Sequence, residues 1–285
     1  MRNELIQFVG QIPPVTRCIC LIMVLICLVQ RLSILPRYFT DFQWSLYGVA
    51  FKLQIWRLFT CFLILPPNDA MKACFDLYTV YTRSLHLELV HFNRSIDYLF
   101  YICFNFALIL VLAEICHIEY GIFTNAFIGS MLYTWTLDNS NVKVMFYGLF
   151  PILGKYLSLV HLFMSFLFDD TRGYTRFSIT VIGFCAGYVY SCLDTRTYGP
   201  LYGYLRGKGP EYGVRGSGRF RAPTWFARLI LGLGRLVGLS RRKLPVTAGA
   251  TAGTRVSGAS HGRAGGRGAK TTFVGKGHRL GTKAD

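Results

Sequence analysis

Three ionisable side chains, His86, Glu88 and His91, are the residues here that look most like metal ligands. A zinc-binding HExxH helix carries its histidines at i and i+4 on one face, with the glutamate next to the first. Here the histidines stand at i and i+5 and diverge, in a segment that reads as a loop, so no metal site is expected. Nucleophilic chemistry would need a serine or cysteine beside a base. Ser130, after Gly129, and His161 both fall deep in apolar runs, but nothing in their spacing pairs them. Polar contacts between helices are the blander reading for both. The nine cysteines form no CxxC pair and lie in apolar surroundings, which reads as small buried side chains rather than a disulfide framework or a zinc ribbon. No catalytic residue, metal or cofactor follows from these patterns.

The elements that would position such residues are membrane helices. Of 285 residues, 52% are hydrophobic and only 16% charged, whereas soluble domains carry about 25% charged residues. Residues 1–195 hold 13 Lys/Arg against 12 Asp/Glu, but residues 196–285 hold 18 against 2. That division predicts a membrane body followed by a basic tail. Apolar runs of near-spanning length fall at about 15–34, 96–115, 122–137, 148–168 and 177–193. The first, between Arg17 and Arg31, lacks a small-residue cleavage site and reads as a helix rather than a cleaved signal. Two segments compete for a further place. Residues 54–66 are more apolar but short, and residues 69–84 are long enough but carry Lys72, Asp76 and Arg83. Hydropathy alone leaves five, six or seven spans open.

The tail sets the topology, because so large a positive excess stays on the cytosolic side. With six spans the N-terminus is cytosolic too, although the 35–68 loop, holding Arg37, Lys52 and Arg57 against Asp41, then lies outside. Within the tail, residues 196–222 are rich in Gly, Tyr and Arg without periodicity. Residues 223–243 alternate apolar side chains with Arg228, Arg235, Arg241 and Arg242, which suits an amphipathic helix on an anionic membrane surface. Residues 244–285, rich in Gly, Ala, Thr and Arg, read as largely disordered. The charge could attract nucleic acid, but residues 244–272 hold no aromatic to stack on bases, so lipid is the expected partner. A transporter would show paired broken helices, and none are evident. Gly183 and Gly187 form a GxxxG in the last span, a flat face for a close helix neighbour.

These residues carry a resemblance. Ile12-Pro13-Pro14-Val15-Thr16-Arg17 enters the first span, and Gln54-Ile55-Trp56-Arg57-Leu58-Phe59-Thr60-Cys61-Phe62 lies in the first loop. Asp97-Tyr98-Leu99-Phe100 opens the third span, and the Gly183/Gly187 pair lies in the sixth. Over about residues 8–195 the chain resembles the Derlins, members of the rhomboid-like superfamily. The resemblance implies an all-α membrane protein: a rhomboid-like bundle of six transmembrane helices over 1–195, with a membrane-dipping first loop carrying Trp56 and Arg57. Residues 69–85 would be the second span, although Lys72 and Asp76 fit the family less well. Trp56 would anchor at the interface and Arg57 would reach headgroups.

Active rhomboid proteases carry a Gly-x-Ser-Gly motif on the fourth span and a histidine three residues before the sixth-span GxxxG. Here those positions read Ile128-Gly129-Ser130-Met131 and Thr180. Threonine cannot serve as the general base, so the resemblance implies a pseudoprotease, with an active intramembrane serine protease as the rival reading. In the 196–285 tail, Phe273-Val274-Gly275-Lys276-Gly277-His278-Arg279-Leu280 resembles the SHP boxes that bind the valosin-containing AAA+ ATPase. Phe273 and Leu280 would fill pockets, while Gly275 and Gly277 let an extended backbone lie close. The implied role is non-catalytic: endoplasmic-reticulum-associated degradation, in that organelle's membrane with both termini cytosolic. Misfolded clients, a ubiquitin-ligase complex and the ATPase would be its partners.

Overall fold

The computed structural model describes residues 10, 12–32, 42–66, 69–118, 121–146, 150–169, 171, 173–209, 212–214 and 220–236. The chain is mostly helical. In order come α1 (Pro14–Arg31), two short helices α2 (Leu46–Ala50) and α3 (Arg57–Thr60), then α4 (Ala70–His86), which continues into a π-helical turn (Leu87–His91). α5 (Ser95–Ile115) and α6 (Thr124–Asp138) follow, then the hairpin β1 (Lys143–Phe146) and β2 (Phe150–Leu153). α7 (Gly154–Leu167), α8 (Thr175–Thr195), α9 (Gly199–Leu205) and α10 (Thr224–Leu236) complete the described chain.

Three helices, α1, α5 and α8, are long and apolar enough to cross a membrane. α4, α6 and α7 are shorter or more polar and pack among them. The six alternate in direction. One end of the bundle gathers the start of α1, the end of α4, the start of α5 and the ends of α6 and α8. There Thr16 meets Ser84 at 3.0 Å, Ser84 meets the Tyr98 hydroxyl at 2.6 Å, and the Tyr101 hydroxyl meets Thr134 at 2.9 Å. The opposite end holds the first loop against the end of α5 and the start of α6.

Several expectations are corrected. The run at 148–168 is not one helix, because residues 150–153 pair with 143–146 as an antiparallel hairpin and α7 starts only at Gly154. A side chain at 154 would overlap the Asn139 backbone, so α7 begins where the chain passes closest to the end of α6. Residues 196–222 include α9 and a segment packed on the bundle, so the folded unit runs past residue 195. Among the cysteines only Cys61 is buried, and Cys18, Cys74, Cys116 and Cys185 are exposed. A cysteine on the outer face of a membrane helix meets lipid, which is as apolar as the core. The pattern of apolar surroundings was therefore right about polarity and wrong about burial.

Candidate functional site

Proline at the first helical position of α1 pre-sets its dihedrals, but Pro13 offers no side-chain cap. Glu88, from the π-helical turn, supplies one instead. Its carboxylate accepts from Val15 N at 3.2 Å, Thr16 N at 2.8 Å and the Thr16 hydroxyl at 2.7 Å. A buried carboxylate at a helix N-terminus satisfies orphan N–H groups and complements the helix dipole. This explains the first motif: Pro14 starts the helix and Thr16 docks on Glu88. The three residues that looked like metal ligands are engaged in other contacts here. Glu88 is occupied, His91 Nδ1 pairs with Asp138 Oδ2 at 2.5 Å, and His86 packs edge-on to Trp135 with Asn139 Nδ2 at 3.5 Å. No cluster of three metal-ligating side chains occurs among the described residues.

The first loop divides into an anchor and a plug. Arg57 is only 7% exposed. Its Nε donates to Gln54 Oε1 at 2.5 Å and its Nη1 to the Gln43 carbonyl at 3.0 Å. A Cβ at Gly48 would lie 3.1 Å from Arg57 Nε, so a glycine gives the guanidinium its space. The arginine expected to reach headgroups instead ties the loop to itself, because carbonyl and amide oxygens around it replace the water it gives up. Trp56 beside it is 51% exposed, as an interfacial anchor would be. Residues 61–65 then turn inward and are buried throughout. Phe62 stacks on Phe106 with centroids 3.9 Å apart. The Cys61 carbonyl accepts from Phe123 N at 2.9 Å, and the Ile64 carbonyl accepts from the Thr124 hydroxyl at 2.5 Å. Too short to span, the segment dips into the bundle and ends it.

The α6–α8 seam holds Ser130 and Thr180, the two residues that the resemblance sets beside a rhomboid protease's serine and histidine. A side chain on Gly183 would overlap the Ala126 carbonyl and lie 2.6 Å from Ala126 Cα. One on Gly187 would lie 3.0 Å from the Ser130 carbonyl, and one on Gly129 would lie 3.2 Å from the Thr180 carbonyl. Ser130 and Thr180 are both buried, but each hydroxyl donates within its own helix, Ser130 to the Phe127 carbonyl and Thr180 to the Arg176 carbonyl, each at 2.9 Å. Their backbones, rather than their side chains, make the interhelical contacts.

The other side of the bundle is different. α4 and α7 barely meet. On α4, Asp76 is 3% exposed, and its Oδ2 has no hydrogen-bond partner. On α7, His161 is buried, with Nε2 also unpartnered and its ring edge-on to Phe184. Sequence reasoning placed His161 in a polar contact; the structure gives Nε2 none. Asp76 was legible only as an ionisable residue in a candidate span, and Glu88 only as a member of a metal-like pattern. Phe273, Gly275, Gly277 and Leu280 lie outside the described residues.

Similarity to known proteins agrees with this architecture. The profile of the Der1-like family matches residues 12–219. The chain is 39% identical over 236 residues to "DER1-like family member protein 1" of Saccharomyces cerevisiae, covering 78% of this chain and 67% of that protein. It is 30% identical over 149 residues to "Probable derlin-2 homolog" of Dictyostelium discoideum, covering 50% and 56%. Against "Derlin-1.1" of Zea mays the figures are 27% over 171 residues, 58% and 67%. With a buried first-loop arginine, a carboxylate-capped first helix and a glycine seam in place, the chain belongs to the Der1-like family, the Derlins.

Proposed function

We propose that this Derlin is a non-catalytic, six-span protein of the endoplasmic reticulum membrane, with both termini cytosolic, that helps misfolded proteins return to the cytosol for degradation. The observation that carries the reading is the seam. Ser130 and Thr180 bond within their own helices and lend their carbonyls to glycine contacts, an arrangement that serves packing and supplies no base. α6 and α7, at 15 and 14 residues, would be only about 22 Å long, against a hydrocarbon core of about 30 Å. Spans this short thin the bilayer around them and lower the cost of passing polar backbone. The α4–α7 side, where Asp76 Oδ2 and His161 Nε2 have no hydrogen-bond partner, is where a client's polar groups would enter. The first loop, rooted by Arg57 and fronted by Trp56, would lie at the lumenal interface. The tail would recruit the valosin-containing AAA+ ATPase through Phe273, Gly275, Gly277 and Leu280, and that motor would supply the force while a ubiquitin-ligase complex marks the client.

The test is rescue of degradation of a misfolded membrane client in cells lacking the chain. Wild type and Ser130→Ala should rescue equally, and Arg57→Ala and a chain lacking residues 272–285 should not. Loss of rescue by Ser130→Ala, together with fluorophosphonate labelling of Ser130 in the wild type, would replace this reading with the protease.

A further inference from the structure

Beyond α8 the chain turns back onto the bundle and is clasped there by two buried carboxylates. Asp194, at the end of α8 and 5% exposed, accepts from Phe220 N at 3.1 Å. Asp97, in the first turn of α5 and 8% exposed, accepts from Ala222 N at 3.1 Å. Between them the Phe220 ring fills an aromatic socket, 5.5 Å from Phe100, 5.3 Å from Phe104 and 5.6 Å from Tyr190, and the Tyr190 hydroxyl donates to the Phe220 carbonyl at 3.4 Å. Asp97 belongs to the motif that opens the third span, and this contact gives it a use: it holds residues distant in sequence. Two residues later α10 begins, its direction set by the clasp.

α10 is incompletely covered. Phe226 packs on Phe100 with centroids 5.4 Å apart, so this edge faces α5. Trp225 and Leu229, one turn apart, are 63% and 55% exposed. At about 100° per residue, Arg228 borders the Trp225–Leu229 strip, and in the sequence Leu233, Arg235 and Leu236 follow at spacings that continue this pattern. Arg228 is exposed. Arg241, Arg242 and Lys243 follow in the sequence, and no acidic residue occurs between 212 and 284. The helix thus packs one edge on the bundle and leaves Trp225, Leu229, Leu231 and Arg228 exposed. It sits beside the second turn of a helix long enough to span.

We propose that α10 is an anionic-lipid-binding element. Its Trp225–Leu229 strip lies in the headgroup region, Arg228 and Arg235 engage lipid phosphates and carboxylates, and the Asp97–Asp194 clasp holds it at the rim of the bundle. Charge complementarity selects the occupant, since an exposed apolar strip beside Arg228, in a basic segment without acidic residues, matches an anionic leaflet. The tryptophan suits the interface, where its ring has one apolar and one wet side. Tied to α5 and α8, the helix would carry any pull on the tail into the spans. The inference rests on the bundle lying in a bilayer and stands whether or not the protein assists retrotranslocation.

The full chain in nanodiscs, made of phosphatidylcholine alone or with phosphatidylserine added, supplies the test, read by amide hydrogen exchange over residues 224–236. Phosphatidylserine should slow exchange there by roughly thirtyfold, the effect of two arginines at an anionic surface, and leave α5 and α8 unchanged. Arg228→Glu with Arg235→Glu, which alters only the cationic border, should abolish that dependence. A nitroxide at Leu229→Cys should become less accessible to a water-soluble relaxant when phosphatidylserine is added, and Asp97→Ala with Asp194→Ala should broaden its distance from α8. Equal exchange in both nanodiscs would overturn the proposal, whether slow because protein covers the strip or fast because nothing does. So would a phosphatidylserine effect that survives charge reversal.

Discussion

Two sides of one bundle are built on opposite principles. Along α6–α8, glycines at 129, 183 and 187 let backbones touch, and the Ser130 and Thr180 hydroxyls are both bonded. Across from it, α4 and α7 hardly meet, and Asp76 and His161 carry buried polar atoms without partners. Such atoms cost stability in a low-dielectric interior, whereas a close glycine contact gains dispersion and small-residue packing. On the proposed reading, this difference would let the seam hold the bundle while the α4–α7 side receives a client.

Breaking the seam should have the largest effect. Gly183→Leu drives a side chain into the Ala126 backbone, and destabilisation of about 3 kcal/mol or more is expected, measured by denaturant unfolding in detergent. The contrast would fail if the variant were as stable as wild type. Next comes the support behind α4. Glu88→Ala leaves Val15 N and Thr16 N without their cap, at roughly 2–3 kcal/mol, and hydrogen exchange should speed first at the start of α1. On the receiving side the sign reverses. His161→Leu removes a buried nitrogen with no partner, so stability should hold or rise by up to about 1 kcal/mol while client degradation slows. A large loss of stability would show that His161 is structural after all.

How much of this was legible in the sequence depends on the kind of signal. Gly183 and Gly187 were readable, because one-turn spacing of glycines has a single geometric use in an apolar helix. The dipping first loop was readable as a run too short to span, but the fate of Arg57 was not: its ligands are the Gln43 carbonyl and Gln54, and a carbonyl leaves no trace in composition. Glu88 was visible only as part of a failed metal pattern, since its partners are backbone N–H groups 72 and 73 residues away. The clasp was hidden for the same reason, with Ala222 and Asp97 lying 125 residues apart. The strand at 150–153 falls inside the 148–168 run read as a span, because its apolar residues are continuous with α7 and period alone does not separate the two.

The smallest expected effect sits in the turn joining the two sides, between α7 and α8. Asp169 accepts from Phe177 N and Thr171 N at 2.8 and 2.9 Å and from the Thr171 hydroxyl. Desolvation pushes its carboxyl up, but these hydrogen bonds and the Arg176 charge together hold it below the ordinary carboxylate range. The stabilisation is therefore present above that range and is lost as pH falls through the depressed value. Wild type should exceed Asp169→Asn slightly in stability near neutrality, and the gap should close in acid. A gap that widened in acid would contradict the cap.

The central claim, that one side holds while the other receives, is tested most directly by distances in a bilayer. Paired spin labels across α6–α8 and across α4–α7 would be measured by pulsed electron resonance, with and without a misfolded membrane client. A narrow, client-independent distribution is expected across α6–α8, and a broad one that shifts on adding client is expected across α4–α7. Two narrow distributions, both indifferent to the client, would contradict the account.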